Sequence, residues 1–297
     1  MLEQSTPLSD VLELFILDCQ AQSFTHHTIR FYKERLTLFV GWLDEEQGVL
    51  DLRDVTSNHI KQYFVSLRSR NLSSSYVHSH GRAIRSFLNY SVRDGLLAKS
   101  PFEGVKMPRL ERKILASLSD DEAQKILEAC TLVRDKAIFL MLTDSGLRAS
   151  ELATLDVGDV QMGTGAVTVR LGKRQKDRTS FVGAKTRKQL RLYLMQRGKV
   201  QNADPLFISE RGGERLTYSG VAQLMKRLRK KTGIKHLSAH TCRRTFAINC
   251  LRNGMDLFML ARLMGHEDIA ILRPYLEIIN DDLEEAHSKF GPIDNML

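Results

Sequence analysis

Four short segments in the second half of the chain carry side chains suited to chemistry on a phosphodiester. They read TDSGLRASEL at 143–152, GKRQKDR at 172–178, HTCRR at 240–244 and LMGH at 263–266. Arginine suits the grip on a phosphate, because its guanidinium donates paired hydrogen bonds and keeps its charge. Histidine either donates a hydrogen bond or carries a proton near neutral pH. These residue types predict a protein nucleophile that works inside a cationic cradle.

The motifs of other phosphate chemistries do not occur in the sequence. There is no GxxxxGK[ST] loop for a nucleoside triphosphate, and there is no HExxH motif or acidic cluster with metal-ligand spacing. Exchange of one phosphoester for another of similar energy also needs no ATP. We therefore expect no cofactor and no metal.

Taken together, the order and separations of these segments resemble the tyrosine recombinases, or phage-type integrases, and most closely the Xer-like members. The resemblance runs from about residue 8 to about residue 285. It implies that Arg148 and Arg243 grip the scissile phosphate. It also implies that His240 and His266 contact the phosphate or carry protons. Arg244 is the neighbouring candidate, but Arg243 lies one helical turn from His240.

The resemblance assigns the remaining catalytic roles to a lysine and a tyrosine. Lys173 would be the general acid that protonates the leaving 5′ oxygen. Lys176, in the same 172–178 segment, is the alternative. Tyr275, nine residues after His266, would be the nucleophile, since nearby cations favour its phenolate. Glu151 would orient the phosphate-binding side chains without contacting the phosphate itself. A simple helical ion pair with Arg148 is the alternative.

The segment around the tyrosine departs from the family pattern. Pro274 directly precedes Tyr275, and proline is favoured in the first turn of a helix. We therefore expect Tyr275 at the start of a short helix. The residues at 276–278 also differ from the threonine-histidine common in Xer members, which bears on the subfamily. A second short amphipathic helix is expected at 281–290.

Composition agrees with a nucleic-acid partner. The chain has 297 residues and a net charge of +9, and a basic excess favours polyanions. Its four cysteines lie outside CxxC pairs, and the sequence shows neither a signal peptide nor an apolar run that would span a bilayer. We expect a cytoplasmic protein that has no membrane partner.

The elements that must position these residues divide the chain into two domains. Apolar residues recur at helical spacing in four stretches of the first hundred residues, which predicts a four-helix bundle. The stretches are about 7–16, 25–43, 57–68 and 74–93. Two prolines and a glycine then predict a linker. The expected boundaries are a helical domain at 1–100, the linker at 101–116 and a catalytic domain at 117–297.

The second domain should be helical with a small β component. Helix is expected over 120–155, starting at a capping-box pattern of Ser119 and Glu122. Alternation at 166–182 predicts a β-hairpin with a basic tip, and a short strand is possible at 206–208. The fold class is therefore mainly α: an N-terminal four-helix core-binding bundle plus a C-terminal α+β tyrosine-recombinase catalytic domain.

Basic side chains on three predicted helices are candidates for contacts with DNA phosphates. On the fourth helix of the bundle, His78 and His80 are assigned to the same basic face. A solvated helix face is the alternative for either of the two bundle helices taken alone. The candidate DNA-binding residues are Arg30, Lys33, Arg82, Arg85, Lys226, Arg229 and Lys230.

These features predict a site-specific recombinase that cleaves and rejoins double-stranded DNA through a 3′-phosphotyrosine intermediate. The alternatives are a type IB topoisomerase-like relaxing enzyme and a non-catalytic DNA-binding protein. The resemblance implies a homotetramer on two DNA sites, held by exchange of the C-terminal segment. A second recombinase subunit is a further possible partner.

Overall fold

The computed structural model describes residues 6–111, 116–170, 177–210, 212–265 and 272. The chain divides into two compact units, Met1–Lys113 and Ile114–Leu297. Each unit has its own apolar core. None of the helices in the described ranges is long and apolar enough to cross a membrane.

The first unit is a bundle of helices whose ends are marked by capping residues. Side-chain oxygens of Thr25, Thr56 and Ser73 accept hydrogen bonds from amides in the first turns of the second, third and fourth helices. Gly48 ends the second helix in the left-handed conformation, at φ 65°. The helices are α1 Leu8–Ala21, α2 His26–Gln47, α3 Ser57–Ser69 and α4 Ser74–Arg93.

The core of this unit extends into the segment expected to be a linker. Phe102 and Val105 are buried with the helical residues, and Met107 packs against the same cluster. The His78 Nδ1 atom lies 2.8 Å from the carbonyl oxygen of Pro108. The chain from 101 to 108 therefore belongs to the packed bundle, because its apolar side chains are buried there.

His80 does not lie on the basic face of α4, so that assignment was wrong. It is fully buried, and its Nδ1 lies 3.0 Å from the Tyr63 hydroxyl. Burial, and then the charge of Arg35, lower its pKa to about 4, so the ring is neutral at physiological pH. The physical reason is its position three residues after Val77 and four before Ile84, which places it on the apolar stripe.

The second unit is mainly helical. The stretch expected to be helical at 120–155 consists of three helices, because the chain is extended at Cys130 and Leu132 and turns again at Gly146, where φ is 63°. In the core, α6 packs against both α8 and α10. The helices are α5 Asp120–Ala129, α6 Val133–Asp144, α7 Ala149–Thr154, α8 Ala184–Arg197, α9 Tyr218–Thr232, α10 Ala239–Arg252 and α11 Leu257–Met264.

A two-stranded antiparallel sheet supplies the β component, as the alternation predicted. Strand β1 is Ala166–Val169 and strand β2 is Arg178–Phe181, with Val169 paired to Arg178. The described part of the segment at 206–208 is not a strand: Ile208 forms an isolated bridge with Arg215. The mainly helical fold with a small sheet is confirmed.

Candidate active site

Arg148 stands at the start of α7, in the position of its N-cap. The turn before it needs glycine at 146, because φ is positive and an added Cβ would collide with the Phe246 ring. The Arg148 amide donates to the Glu151 carboxylate at 2.7 Å, and Arg148 Nη1 lies 2.8 Å from the same carboxylate. The Arg148 side chain remains 43% exposed, so its guanidinium is accessible to a ligand.

Arg243, on α10, is held much more deeply. It is 4% exposed, and it donates from Nη1 to the Gly146 carbonyl at 2.6 Å and from Nη2 to the Met264 carbonyl at 2.7 Å. Its Nη1 is also 3.7 Å from Glu151 Oε2. These contacts join α10 to the turn before α7 and to the end of α11. Arg243 is therefore fixed relative to the Arg148 segment.

His240 lies in the first turn of α10, one turn before Arg243. The Ser238 side chain caps this helix by accepting from the Thr241 amide at 3.0 Å. Partial burial, followed by the charges of Arg244, Arg243 and Arg148, lowers the pKa of His240 below its usual 6.5. The imidazole is therefore neutral at pH 7, with one nitrogen able to donate and the other able to accept.

A buried carboxylate lies behind these cations. Glu151 is 8% exposed, and Arg178 donates to it twice, from Nη1 at 3.0 Å and from Nη2 at 2.8 Å. Burial on its own raises the pKa of Glu151. The hydrogen bonds from Arg178 and from the Arg148 amide outweigh burial and hold that pKa below its usual 4.5. Glu151 is therefore ionised and neutralises part of the arginine charge.

One cavity of about 490 Å³ is lined by several cationic side chains of this unit. Arg148, His240 and Arg243 all line it, although they come from α7 and α10. Lys226 and Arg229 of α9 also line it. A concave, positively charged site of this kind binds a phosphate and stabilises charge that develops on its oxygens.

The candidate DNA-binding side chains fall on both units. Lys230 is exposed on α9 but does not line the cavity. In the first unit, Arg30, Lys33, Arg82 and Arg85 are exposed, and Arg30 pairs with Glu34 at 2.7 Å.

Aromatic rings orient several arginines of the first unit. Arg85 lies 4.8 Å from the Phe102 ring centre, and Arg82 lies 6.0 Å from that of Phe31. Arg35, another basic residue of α2, lies 4.6 Å from the Tyr76 ring centre and donates to Ser79. Stacking of this kind limits the conformations of an arginine while leaving its edge available to a phosphate.

Several predicted residues lie outside the described residues. They are Lys173 and its competitor Lys176, His266, Tyr275 with Pro274 before it, and the expected helix at 281–290. The described chain reaches Gly265, which caps α11 in the left-handed conformation directly before His266. The site therefore includes Arg148, Glu151, His240 and Arg243 in defined positions.

Sequence reasoning missed Arg178. It was expected at the start of the second strand of the hairpin, where β2 begins, but it was given no role in the site. The residue types of the strand gave no signal for this, because Arg178 shares the inward face with polar but fully buried Ser180, whereas apolar Phe181 is on the exposed face. An arginine on the inward face of a strand requires a buried acceptor, and here that acceptor is Glu151.

Comparison with known protein families gives two matches. Residues 116–280 match the phage integrase family, and residues 12–95 match the phage integrase N-terminal SAM-like domain. The two matched regions together cover most of both compact units. They also contain every one of the four chemistry-bearing segments.

Individual relatives match along nearly the whole chain. The chain is 30% identical to tyrosine recombinase XerC of Pelobacter propionicus, over 96% of each protein. It is 28% identical to tyrosine recombinase XerD of Oceanobacillus iheyensis, over 91% of this chain and 94% of the relative. In fold it resembles the XerH site-specific recombinase bound to palindromic difH substrate, with a TM-score of 0.75 and 17% identity over 97% of this chain.

Proposed function

The chain belongs to the phage integrase family and is a tyrosine recombinase that carries out site-specific DNA recombination, and we propose which of its residues perform each step. One observation carries the assignment. Arg148 of α7 lines a single cavity with His240 and Arg243 of α10, which lie more than 90 residues later in the chain, and buried Glu151 contacts both arginines. That is the arrangement a scissile phosphate requires.

Arg148 and Arg243 bind the non-bridging oxygens of the scissile phosphate. Arg148 supplies an accessible guanidinium, and Arg243 supplies one whose orientation is fixed by two backbone carbonyls. Fixed donors stabilise the charge that develops during phosphoryl transfer without reorganising as the reaction proceeds. Neutral His240 donates to the same phosphate or passes a proton, and His266 acts beside it.

Tyr275 is the nucleophile, and Lys173 is the general acid. The Tyr275 hydroxyl gives its proton to a neutral histidine of the site, and its oxygen forms a bond to phosphorus while the bond from phosphorus to the 5′ oxygen breaks. Lys173 gives a proton to that oxygen, leaving a 5′-hydroxyl and a 3′-phosphotyrosine. Attack by a 5′-hydroxyl from the partner duplex reverses these steps and joins the strands. No metal, nucleotide or other cofactor takes part.

DNA is the partner of this chain, and related recombinases have been seen bound to it. We assign Lys226, Arg229 and Lys230 to contacts near the cleavage point, because two of them line the catalytic cavity. The bundle residues contact the backbone elsewhere on the site, and they are Arg30, Lys33, Arg82 and Arg85. Phosphate contacts of this kind set affinity and position more than sequence preference.

The active assembly is a homotetramer on two DNA sites, in which the C-terminal segment of one subunit docks on the next. A second recombinase subunit could replace some copies. Deletion of residues 282–297 should impair recombination and leave binding to a single site intact. Unaltered recombination would contradict the exchange. We assign the protein to the cytoplasm, where thiols stay reduced. The four cysteines are free, which agrees with this: Cys19, Cys130, Cys242 and Cys250.

Covalent trapping tests the assignment of the nucleophile. Full-length protein selects binding sites from random-sequence duplex DNA, and the selected duplex is then nicked at successive positions so that the cleaved end diffuses away. We call this DNA the trapping duplex. Wild type should form an adduct that survives denaturation, without added metal, and Tyr275→Phe should form none.

The outcomes separate the alternatives. An adduct with both proteins would mean that another residue attacks. Salt-sensitive binding without any adduct would favour a non-catalytic DNA-binding protein. Relaxation of supercoiled DNA regardless of sequence would favour the topoisomerase-like activity, which the relatives do not favour, since they are recombinases by name.

A further inference from the structure

We propose that Arg178 is a positioning residue for DNA cleavage, which holds Glu151 and the end of α11 together and thereby places the phosphate-binding groups. The inference rests on the proposed function, since it concerns the same site. Arg178 does not line the catalytic cavity, so it would act through its neighbours and not through contact with DNA.

The first support is the pairing of Arg178 with Glu151. Both side chains are 8% exposed, and two parallel hydrogen bonds of 3.0 and 2.8 Å join them. The same carboxylate also receives the amide and the guanidinium of Arg148. Arg178 therefore fixes the carboxylate that in turn orients Arg148. A bidentate arginine constrains both the position and the plane of its partner.

The second support is the end of α11. Arg178 Nε donates to the carbonyl of Leu263 at 3.0 Å, while Arg243 donates to that of Met264. The last carbonyls of a helix lack helical partners and carry partial negative charge, so two guanidiniums hold this end firmly. Gly265 follows the last residue of α11, and His266 is the next residue in the sequence.

The third support is steric. A Cβ built on Gly265 would lie 2.7 Å from Cδ of Arg178 and 2.8 Å from its Nε. Gly265 also has a φ of 65°, which a side chain rarely adopts. The absence of a side chain at 265 therefore lets the stem of Arg178 lie directly against the backbone. This close contact fixes the backbone at the C-terminal end of α11.

Three motif segments thus meet at one side chain. Arg178 lies on β2, five residues after Lys173 in the sequence; it bonds to Glu151 on α7; and it bonds to the end of α11. A lysine offers a single ammonium and cannot reproduce the parallel pair and the Nε bond together. The role therefore depends on the guanidinium and not on the charge alone.

The test measures single-turnover adduct formation on the trapping duplex at saturating protein, with wild type and Arg178→Lys. We expect the first-order rate constant to fall about 10²-fold in Arg178→Lys, because small misplacements of catalytic groups cost that much. Binding of the uncut duplex should change by less than about threefold, since the DNA-contacting side chains remain. A purely structural role would instead lower the amount of active protein and leave the rate constant unchanged.

Arg197→Lys is the matched control. Arg197 also donates to two backbone carbonyls, those of Pro205 and Leu206, but it does not line the cavity. The rate constant for adduct formation by Arg197→Lys should match that of wild type. As a second variant, Arg178→Ala should regain activity when methylguanidinium is added and should not respond to methylammonium.

An Arg178→Lys rate constant within about threefold of wild type would overturn the inference while the wild-type adduct upholds the proposed function. Equal rescue of Arg178→Ala by both cations would also overturn it, because charge alone would then suffice. Absence of an adduct from wild type would contradict the proposed function itself, and it would overturn the inference too, because the inference rests on that function.

Discussion

Replacing Glu151 by glutamine should destabilise the second unit strongly at neutral pH. Glu151 is 8% exposed and receives hydrogen bonds from Arg148 and Arg178, and Arg178 and Arg243 beside it are 8% and 4% exposed. Glutamine keeps the shape but removes the charge, and its amide places donors against the guanidiniums. Removal of one partner from a buried ion pair costs about 3–5 kcal/mol. We expect the free energy of unfolding to fall by that amount.

The pH dependence gives a second check on the same variant. The pKa of Glu151 in the folded protein lies below its usual 4.5. Its contribution to stability is therefore fully present above the unfolded-state pKa of about 4.3, and it is lost as pH falls through the folded-state pKa. The difference in free energy of unfolding between wild type and Glu151→Gln should stay constant from pH 7 to about pH 5 and become smaller in more acid solution.

Urea denaturation followed by far-UV circular dichroism measures this loss. The single tryptophan, Trp42, lies in the first unit, so its fluorescence reports on the bundle separately. Glu210→Gln is the matched control, because Glu210 is 56% exposed and only 3.6 Å from each of two arginines. An exposed pair of this kind contributes about 0–1 kcal/mol. A loss for Glu151→Gln no larger than that of the control, or one that does not change with pH, would refute the reasoning.

Two further predictions concern the cavity. The NMR titration of His240 should give a pKa below 6.5 in the free protein, and inorganic phosphate should raise it, because an anion in the cavity favours the imidazolium; an unchanged value with phosphate would show that the cavity does not bind it. Lys226→Gln should weaken binding of the selected duplex and reduce the slope of log affinity against log salt by about 1, while Lys199→Gln, which lies off the cavity lining, should keep the wild-type slope. Equal slopes of log affinity against log salt for the two variants would show that Lys226 does not contact DNA.

The helices of the bundle were predictable because their signals are local. The stretches expected at 57–68 and 74–93 correspond to α3 at Ser57–Ser69 and α4 at Ser74–Arg93. Apolar spacing and capping residues act within a few residues of one another, so they can be read along the chain. The hairpin was predictable for the same reason. The resemblance also selected Arg148, His240 and Arg243 before their common cavity was known.

Contacts between distant segments could not be read in this way. The pairing of Arg178 with Glu151 spans 27 residues, and the bond from Arg178 to Leu263 spans 85. The sequence marks each of these residues as polar or apolar but does not say which partner satisfies it. Burial of Phe102 and Val105 likewise depends on the surface that the bundle offers, and so the packed unit extends beyond the expected start of the linker.

The sequence by itself determined the helical periodicity, the order of the motifs and the types of side chain available for phosphoryl transfer. Tertiary structure decided which of those side chains are buried and which share a cavity. The physical reason is that helix and strand signals arise from neighbouring residues, whereas the desolvation of Glu151, Arg178 and His80 arises from segments that meet only in the folded chain. Charge neutralisation in the site is therefore a property of the fold.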